Sequence, residues 1–420
     1  MRIGNIDCEK LAEEFGTPIY VIDEQRIREN FRCVKNAFEK NYPKFRLLYA
    51  MKANGNISVL RILESEGACI DAVSPFEVEA ALLAGFSPDR IMFTGTSVRN
   101  DEIRFLLDKG ITINVDSLSQ LERLLAIKVP EKISFRINPE VGAGHHDHTI
   151  TGGKESKFGI WESDAVRAYT RAKQAGVREF GIHMHIGSGI LDYSPFLRAV
   201  EKLMSIAASV AKNVGIDFSF IDIGGGLGVP YKPDDKPLDV EGFARAITEI
   251  IRARCEESGL GEPFLYTEPG RYIVCDACIL LTRVNTLKET PFKKFVGVDA
   301  GFNTLIRPTM YGAYHEVVVV GKEKAPPQET YSIAGPICES GDLLARDRKL
   351  PKIEEGDLLA IMNAGAYGFA MSSNFNMRPR ACEVLVNGEK YEIVRERETF
   401  GQLMKNQKVA SWLKKGKKRR

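Results

Sequence analysis

The run Leu47-Leu48-Tyr49-Ala50-Met51-Lys52 has the length and apolar content of a buried strand, and it closes on a lysine. Seven similar β-rich runs follow, separated by stretches that favour helices. The eight predicted strands span residues 47–51, 69–73, 91–94, 111–115, 133–137, 180–185, 218–223 and 264–268. Strands that alternate with helices pair in parallel, and eight such units favour a closed (β/α)8 TIM-like barrel over an open sheet.

The remainder of the chain has a different pattern. After Arg271, seven β-rich runs follow one another without a long helix between them, at residues 279–287, 294–298, 316–320, 330–334, 358–362, 382–386 and 390–395. This pattern predicts an antiparallel β domain, a sandwich or a small Greek-key barrel, which a strand at residues 19–22 could join. We therefore expect a barrel domain at residues 24–274 and a β domain formed by residues 1–23 and 275–420.

The composition is typical of a soluble globular protein. The 420 residues are 44% hydrophobic and 27% charged, with a net charge of +2. No run approaches the roughly 20 apolar residues of a membrane span, and the first residues lack a signal-peptide core. The eight cysteines form no disulfide framework, so we expect a reducing cytoplasm. The basic tail after Trp412 predicts a solvated end, and neither nucleic acid nor membrane is expected as a partner.

Residues with useful chemistry lie at or near the carboxyl ends of six predicted strands. They are Lys52, Asp71, Arg136, His185, the loop that begins at Gly224, and Glu268. Active sites of (β/α)8 barrels are built on this face, so we expect these groups to meet there. An amine, a flat ring, a glycine loop and a carboxylate together suit one cofactor, pyridoxal phosphate (PLP).

The polar residues on this face have direct interpretations. The Lys52 amine would bind the PLP aldehyde covalently, and burial would lower its pKa and make it nucleophilic. Glu268 would lie beside the ring nitrogen and keep it protonated, as decarboxylation requires. His185 is better placed than His183 to stack on the ring, because it is nearer the end of the strand. His183 is expected to be a packed, hydrogen-bonded neighbour.

The run Gly224-Gly225-Gly226 directly follows a predicted strand, so its backbone N–H groups can approach phosphate oxygens. A tight turn would explain the glycines equally well, and Ser188 and Arg271 are further candidates for contacting phosphate. Asp71 and Arg136 are interpreted as a polar network that positions the reactive lysine, with a purely structural ion pair as the alternative.

A long glycine-rich loop, residues 142–159, lies on the active-site side of the predicted barrel. We expect this loop to be flexible and to close over the site when substrate binds. Its three histidines, His145, His146 and His148, are too close together for a rigid tetrahedral cage, so no metal site is predicted.

The β domain contributes the pair Cys338-Glu339 within a glycine-rich segment, residues 335–342. A thiol beside a carboxylate in such a loop is a candidate proton donor. Taken alone, Cys338 would more often be a small buried apolar residue, so both interpretations stay open.

Six motifs together resemble the alanine-racemase-like, fold-type III PLP-dependent decarboxylases, over residues 17–386. They are Tyr49-Ala50-Met51-Lys52-Ala53-Asn54, His183-Met184-His185-Ile186-Gly187-Ser188, Gly224-Gly225-Gly226, Glu268-Pro269-Gly270-Arg271, Cys338-Glu339-Ser340-Gly341-Asp342 and Asn376-Met377-Arg378-Pro379-Arg380. The basic tail is not part of that family's pattern.

The resemblance implies roles for residues of five of these motifs and for a few residues outside them. The implied PLP-binding residues are Lys52, Asp71, His185, Ser188, Gly225, Gly226, Glu268, Gly270, Arg271 and Tyr367. The implied substrate-binding residues are Arg271, Arg307, Tyr311, Glu339 and Tyr367. Catalysis is expected of Lys52, His185 and Cys338, with the thiol returning a proton to the carbon that has lost CO2. Cys338 and Glu339 would come from the partner subunit of a head-to-tail homodimer.

The resemblance also implies the reaction, decarboxylation of meso-2,6-diaminopimelate to L-lysine and CO2. Glu339 stands where related ornithine and arginine decarboxylases carry an aspartate, and it would take the distal ammonium. The distal end of diaminopimelate also carries a carboxylate, which Arg271 and Arg307 could bind. A relative acting on ornithine, arginine or carboxynorspermidine, and a non-catalytic PLP-binding homologue, are the alternatives.

Overall fold

The computed structural model describes residues 1–144, 151–153 and 156–414. The chain begins with a short hairpin of β1 (Arg2–Ile3) and β2 (Ile6–Asp7), then helix α1 (Cys8–Phe15) and strand β3 (Ile19–Asp23). Eight strands follow: β4 (Phe45–Ala50), β5 (Cys69–Ala72), β6 (Ile91–Phe93), β7 (Thr112–Val115), β8 (Lys132–Arg136), β9 (Glu179–His183), β10 (Phe218–Asp222) and β11 (Phe264–Thr267).

These eight strands form a closed barrel in which every pair is parallel. The barrel closes where β11 pairs with β4, with Leu265 opposite Phe45. Each strand begins and ends within two residues of the prediction, so the predicted (β/α)8 barrel is confirmed. The helices of this part are α2 (Glu24–Asn41), α3 (Ile57–Ser65), α4 (Pro75–Leu83), α5 (Asn100–Asp108), α6 (Leu118–Ile127), α7 (Glu162–Ala175), α8 (Ser194–Val210), α9 (Val240–Ser258) and α10 (Arg271–Val274).

Short polar caps explain how the chain turns from strand to helix on the upper face of the barrel. The hydroxyl of Ser74 accepts a hydrogen bond from the Glu77 amide at the start of α4, and Pro75 occupies the first turn. Ser117 caps α6 in the same way, through the Gln120 amide. Because each cap follows a strand within a few residues, the strand ends stay close to the helix starts and leave a compact rim for a site.

The C-terminal part is built mainly of strands. They are β12 (Cys278–Glu289), β13 (Lys294–Val298), β14 (Val317–Val319), β15 (Glu329–Ala334), β16 (Leu343–Leu350), β17 (Leu358–Ile361), β18 (Cys382–Asn387) and β19 (Lys390–Arg395), with two short helices, α11 (Arg307–Tyr311) and α12 (Phe400–Met404). The strand order is β16-β15-β13-β12-β3-β18-β19, while β17 pairs with β12 and β14 pairs with β17. Strand β3 therefore joins this sheet, as the sequence suggested.

The prediction of an antiparallel β domain is only partly right, because the sheet is mixed. Strand β13 pairs in parallel with β15, and β3 pairs in parallel with β18. Both pairs join strands that are far apart in the chain, and a parallel pair needs such a long connection. Strand β16 was missed because its charged residues hide the alternation of a strand; Arg346 and Asp347 are exposed.

Among the described residues, no helix combines the length and the apolar character that crossing a bilayer requires. The three loop histidines, His145, His146 and His148, and residues 415–420 of the basic tail lie outside the described part of the chain. The predictions about a metal site and about the tail therefore stay predictions.

Candidate active site

Lys52 lies two residues beyond β4, in a single helical turn formed by Met51–Ala53. Its Nζ is 2.7 Å from Oδ2 of Asp71, which is fully buried in β5, whereas the lysine side chain is about one-third exposed (35%). Burial alone would lower the pKa of Lys52, but the carboxylates of Asp71 and Glu268 outweigh it and raise the pKa above its usual value. The expectation of a lowered pKa is therefore wrong for the free amine: the carboxylates keep it charged.

Glu268 follows β11 directly and is almost completely buried. Its Oε2 is 3.1 Å from Nε2 of His183, the last residue of β9. Burial would raise the pKa of Glu268, but the contact with His183 and the charge of Lys52 lower it to about 2. The carboxylate is thus ionised at neutral pH, and His183 is the packed, hydrogen-bonded neighbour that was predicted.

The second oxygen of this carboxylate, Oε1 of Glu268, is buried, and among the described residues no N–H or hydroxyl group donates a hydrogen bond to it. A buried acceptor of this kind fits the protonated ring nitrogen of PLP. Asp222, at the end of β10, lies beside it, and burial together with the Glu268 charge raises the pKa of Asp222 well above its usual value. The ligand atoms of His183, Asp222 and Glu268 lie within 4.8 Å of one another, a spacing that would also suit a cation.

The glycine run after β10 is packed against the neighbouring strand ends. A Cβ on Gly225 would lie 2.0 Å from the carbonyl oxygen of Glu268, and a Cβ on Gly226 would lie 2.4 Å from that of Gly187. Gly224 has φ +72°, a conformation that favours glycine. Only glycines fit these positions, so no side chain covers the backbone at this part of the rim. Gly270 approaches β4 in the same manner, since its Cβ would lie 2.9 Å from the Ala50 carbonyl oxygen.

Two of the glycine amides are already used within the protein. The Gly224 N–H donates to Oδ1 of Asp222 (2.8 Å), and the Gly225 N–H donates to Nδ1 of His185 (3.1 Å). The second bond fixes the imidazole ring at the barrel rim. Burial and the charges of Arg136 and Lys52 lower the pKa of His185 well below its usual value, so a neutral ring is available for stacking.

Arg136 ends β8 and is buried, but its partner is not Asp71. Its guanidinium lies 4.3 Å from the ring centre of Phe158, and its Nη2 has no hydrogen-bond partner within the described residues. The alternative of a structural ion pair between Asp71 and Arg136 is therefore not supported, because the carboxylate pairs with Lys52 instead.

Arg271, the first residue of α10, links the predicted phosphate-binding groups. Its Nη1 donates to the hydroxyl of Tyr231 (2.7 Å) and its Nη2 to the hydroxyl of Ser188 (3.2 Å). The guanidinium also lies 4.9 Å from the ring centre of Tyr367, which has φ +58°. The structure thus brings together three of the residues that were assigned to the phosphate: Arg271, Ser188 and Tyr367.

Arg307, the first residue of α11, is fully buried and stacks 4.6 Å from the ring centre of Tyr231. Its Nη1 is 2.7 Å from Nε2 of His315, whose Nδ1 is 2.8 Å from the carbonyl oxygen of Met362. A guanidinium only donates hydrogen bonds, so Nε2 accepts and Nδ1 carries the proton. Burial and the Arg307 charge lower the pKa of His315 to about 3, which keeps the ring neutral. Tyr231 therefore contacts both arginines that were predicted to bind substrate, Arg271 through its hydroxyl and Arg307 through its ring.

Cys338 and Glu339 lie on an exposed loop of the β domain, not among the buried groups. The alternative of a buried apolar cysteine is wrong. The loop contacts β-domain residues: the Cys338 amide donates to Asn376, and the Thr309 hydroxyl donates to the Gly341 carbonyl. Tyr311 ends α11, the same short helix that begins with Arg307.

Four residues of these networks received no role from the sequence: Asp222, Tyr231, His315 and Asn376. Asp222 lies two residues before the glycine run, so its position was a usable signal. Tyr231 and His315 carry no local pattern, and only the folded chain places both of them against Arg307.

The barrel rim carries an amine, a fixed imidazole, a glycine loop and a buried ionised carboxylate. This combination is typical of the PLP enzymes with the alanine-racemase-like barrel. Residues 24–275 match the family model of the pyridoxal-dependent decarboxylases, pyridoxal binding domain. The chain therefore belongs to the pyridoxal-dependent decarboxylases and, by the relatives described next, to their diaminopimelate decarboxylase family.

The relatives are similar over their full length. The chain is 58% identical to a diaminopimelate decarboxylase of Methanothermobacter thermautotrophicus, covering 98% of this chain and 96% of the relative. It is 44% identical to that of Archaeoglobus fulgidus, with 98% of each covered. The crystal structure of the M. jannaschii enzyme in complex with L-lysine superposes with a TM-score of 0.89 at 37% identity, covering 96% and 95% of the two chains.

Proposed function

We propose that this chain removes CO2 from meso-2,6-diaminopimelate and releases L-lysine, with PLP as cofactor. The observation that carries the proposal is the buried Oε1 of an ionised Glu268 on the same rim as the Lys52 amine; among the described residues, no N–H or hydroxyl group donates to it. A carboxylate there holds a ring nitrogen in its protonated form, which makes PLP a strong electron acceptor. When bound, PLP supplies the electron sink for the electron pair of the breaking carbon–carboxylate bond.

The chain's own residues hold and orient the cofactor in this proposal. Lys52 binds its aldehyde with support from Asp71, and His185 stacks on its ring. The phosphate packs against the glycine backbone, where no side chain stands in its way, and accepts hydrogen bonds from hydroxyl and guanidinium groups. The residues proposed for it are Ser188, Gly225, Gly226, Gly270, Arg271 and Tyr367.

The substrate is bound between the barrel and the β domain. Arg271 and Arg307 take a carboxylate of the substrate, and both are supported by Tyr231. The other proposed substrate-binding residues are Tyr311, Tyr367 and Glu339. The Glu339 carboxylate binds the distal ammonium group of the substrate. Cys338 supplies the proton that replaces the lost carboxylate.

Cys338 and Glu339 act in the site of the partner subunit in this proposal. Both are exposed in the single chain, and among the described residues the hydrogen bonds of their loop go to other residues of the β domain. A head-to-tail homodimer would use exposed groups of this kind, because each loop then completes the neighbouring barrel. We further infer a barrel domain at residues 24–274, a β domain at 1–23 and 275–420, and a reducing cytoplasm, which the eight free cysteines support.

A substrate panel tests the reaction. The purified protein with PLP is offered meso-diaminopimelate, ornithine, arginine and carboxynorspermidine separately, and CO2 and amine products are measured, with Lys52→Ala as the control. The expected result is lysine from diaminopimelate alone. Turnover of another substrate instead would overturn the proposed specificity, and bound PLP without any turnover would favour a non-catalytic homologue.

A further inference from the structure

The loop that carries the thiol is held in shape from within the β domain by one carboxylate. Asp342 accepts hydrogen bonds from the amides of Ile337 (2.7 Å) and Phe302 (2.6 Å), and its backbone carbonyl accepts one from Gly335 (3.0 Å). These contacts fix the base of the loop. They do not reach the sulfur of Cys338, so another group must determine where that sulfur lies.

Asn376 is that group. Its Oδ1 accepts a hydrogen bond from the Cys338 backbone N–H (3.0 Å), and its Nδ2 is 3.1 Å from the Cys338 sulfur. A backbone N–H can only donate, so the first bond requires oxygen on that side of the amide. The amide nitrogen therefore faces the sulfur, and the sulfur acts as the acceptor.

The backbone at Asn376 is adapted to this contact. Asn376 and Met377 both have positive φ, +55° and +54°, a conformation that most side chains avoid and that asparagine tolerates better than most. Both side chains are exposed, so apolar packing does not explain the conformation. The turn instead aims the amide of residue 376 at Cys338.

We propose that Asn376 is a positioning residue for the proton-donating thiol, an inference that rests on the proposed function. The Asn376 amide N–H donates to a lone pair of the Cys338 sulfur. The S–H proton therefore points away from the loop, toward the active site of the partner subunit. As the proton leaves, the same N–H donates to the sulfur that gains negative charge, which favours the transfer. No proton passes through Asn376 itself.

The variant Asn376→Asp isolates the N–H···S bond. Aspartate has the same shape, tolerates the same φ and keeps an oxygen for the Cys338 amide, but it puts a carboxylate where the donor stood. The control is Asn374→Ala in the same loop, since Asn374 bonds Glu398 (2.6 Å) and the Arg378 carbonyl (3.1 Å) instead of the sulfur.

The first readout is independent of turnover. The holoenzyme is treated with iodoacetamide, and alkylation of Cys338 is followed by peptide mass spectrometry, with Cys33, the other exposed cysteine, as internal reference. Asn376→Asp is expected to slow alkylation of Cys338 several-fold relative to Cys33, because a carboxylate beside the sulfur disfavours the reactive thiolate. An unchanged or faster rate would overturn the proposal, since a merely loosened loop would expose the sulfur more.

The second readout is a double-mutant cycle on decarboxylation. Asn376→Asp is expected to lower kcat on the order of tenfold to a hundredfold with little change in KM, and to have less than about a twofold effect in a Cys338→Ala background. Equal losses in both backgrounds would overturn the proposal. If the wild-type protein made no lysine, the proposed function would fail while the alkylation result still reported on the Asn376 contact.

Discussion

The barrel rim and the thiol loop of the β domain hold their functional groups in opposite ways. On the rim, Lys52 and Glu268 belong to a network of charges at consecutive strand ends, largely removed from water. On the loop, Cys338 and Glu339 are exposed, and one amide and one carboxylate shape the segment. In the proposed function this difference has a reason: groups that set the charge of a cofactor benefit from burial, whereas groups that reach a neighbouring subunit have to be exposed.

The strongest test of this contrast removes the rim amine. Lys52→Ala is expected to lower kcat by at least about a thousandfold, because the proposed covalent attachment point is lost and Asp71 loses its Lys52 partner. CO2 release measures the loss, and retention of PLP on gel filtration measures the attachment. Activity within tenfold of wild type would show that the rim does not depend on this amine.

Neutralising the rim carboxylate should have the next largest effect. Glu268→Gln keeps the shape but removes the charge, and it should lower kcat on the order of a hundredfold. Since the pKa of Glu268 is about 2, the wild-type pH profile should show no titration of this group above pH 4. Glu268→Asp, which keeps the charge, is the control and should lose less activity than the glutamine variant.

On the loop, a substitution of Glu339 should weaken substrate binding more than it slows the decarboxylation step. Glu339→Gln is expected to raise KM for diaminopimelate about tenfold and to leave kcat within a few-fold, because the proposed charged contact to the distal ammonium is weakened. The neighbouring exposed residue offers Ser340→Ala as a control. A fall in kcat with unchanged KM would assign Glu339 to the chemical step instead.

The smallest effect concerns stability. His315 has a pKa of about 3 in the folded protein against 6.5 ordinarily, so the unfolded chain binds an extra proton between those values and stability falls as pH drops through them. Between pH 7 and pH 5 this costs about 2 kcal/mol. His315→Gln keeps an acceptor for Arg307 and a donor for Met362. Between pH 7 and pH 5, the free energy of unfolding of this variant, measured with urea, should therefore fall by about 2 kcal/mol less than that of the wild type. An identical pH dependence in both proteins would contradict a buried neutral imidazole.

The sequence predicted the rim better than the loop for a physical reason. Buried parallel strands leave a periodic apolar signal, and the residues that follow them, such as Lys52 and Glu268, must lie on one face. Strand β16 was missed because one of its faces is charged and exposed. The contacts of Tyr231, His315 and Asn376 join segments far apart in the chain, and no local pattern encodes them.

Mixed dimers test most directly whether one site is assembled from the rim of one subunit and the loop of another. Lys52→Ala and Cys338→Ala chains, each nearly inactive alone, are unfolded, combined in equal amounts, refolded with PLP and assayed with meso-diaminopimelate. Half of the dimers would then be mixed, each with one intact site, so activity should recover to about a quarter of refolded wild type. No recovery, with mixed dimers present by mass spectrometry, would show that Cys338 serves the barrel of its own chain.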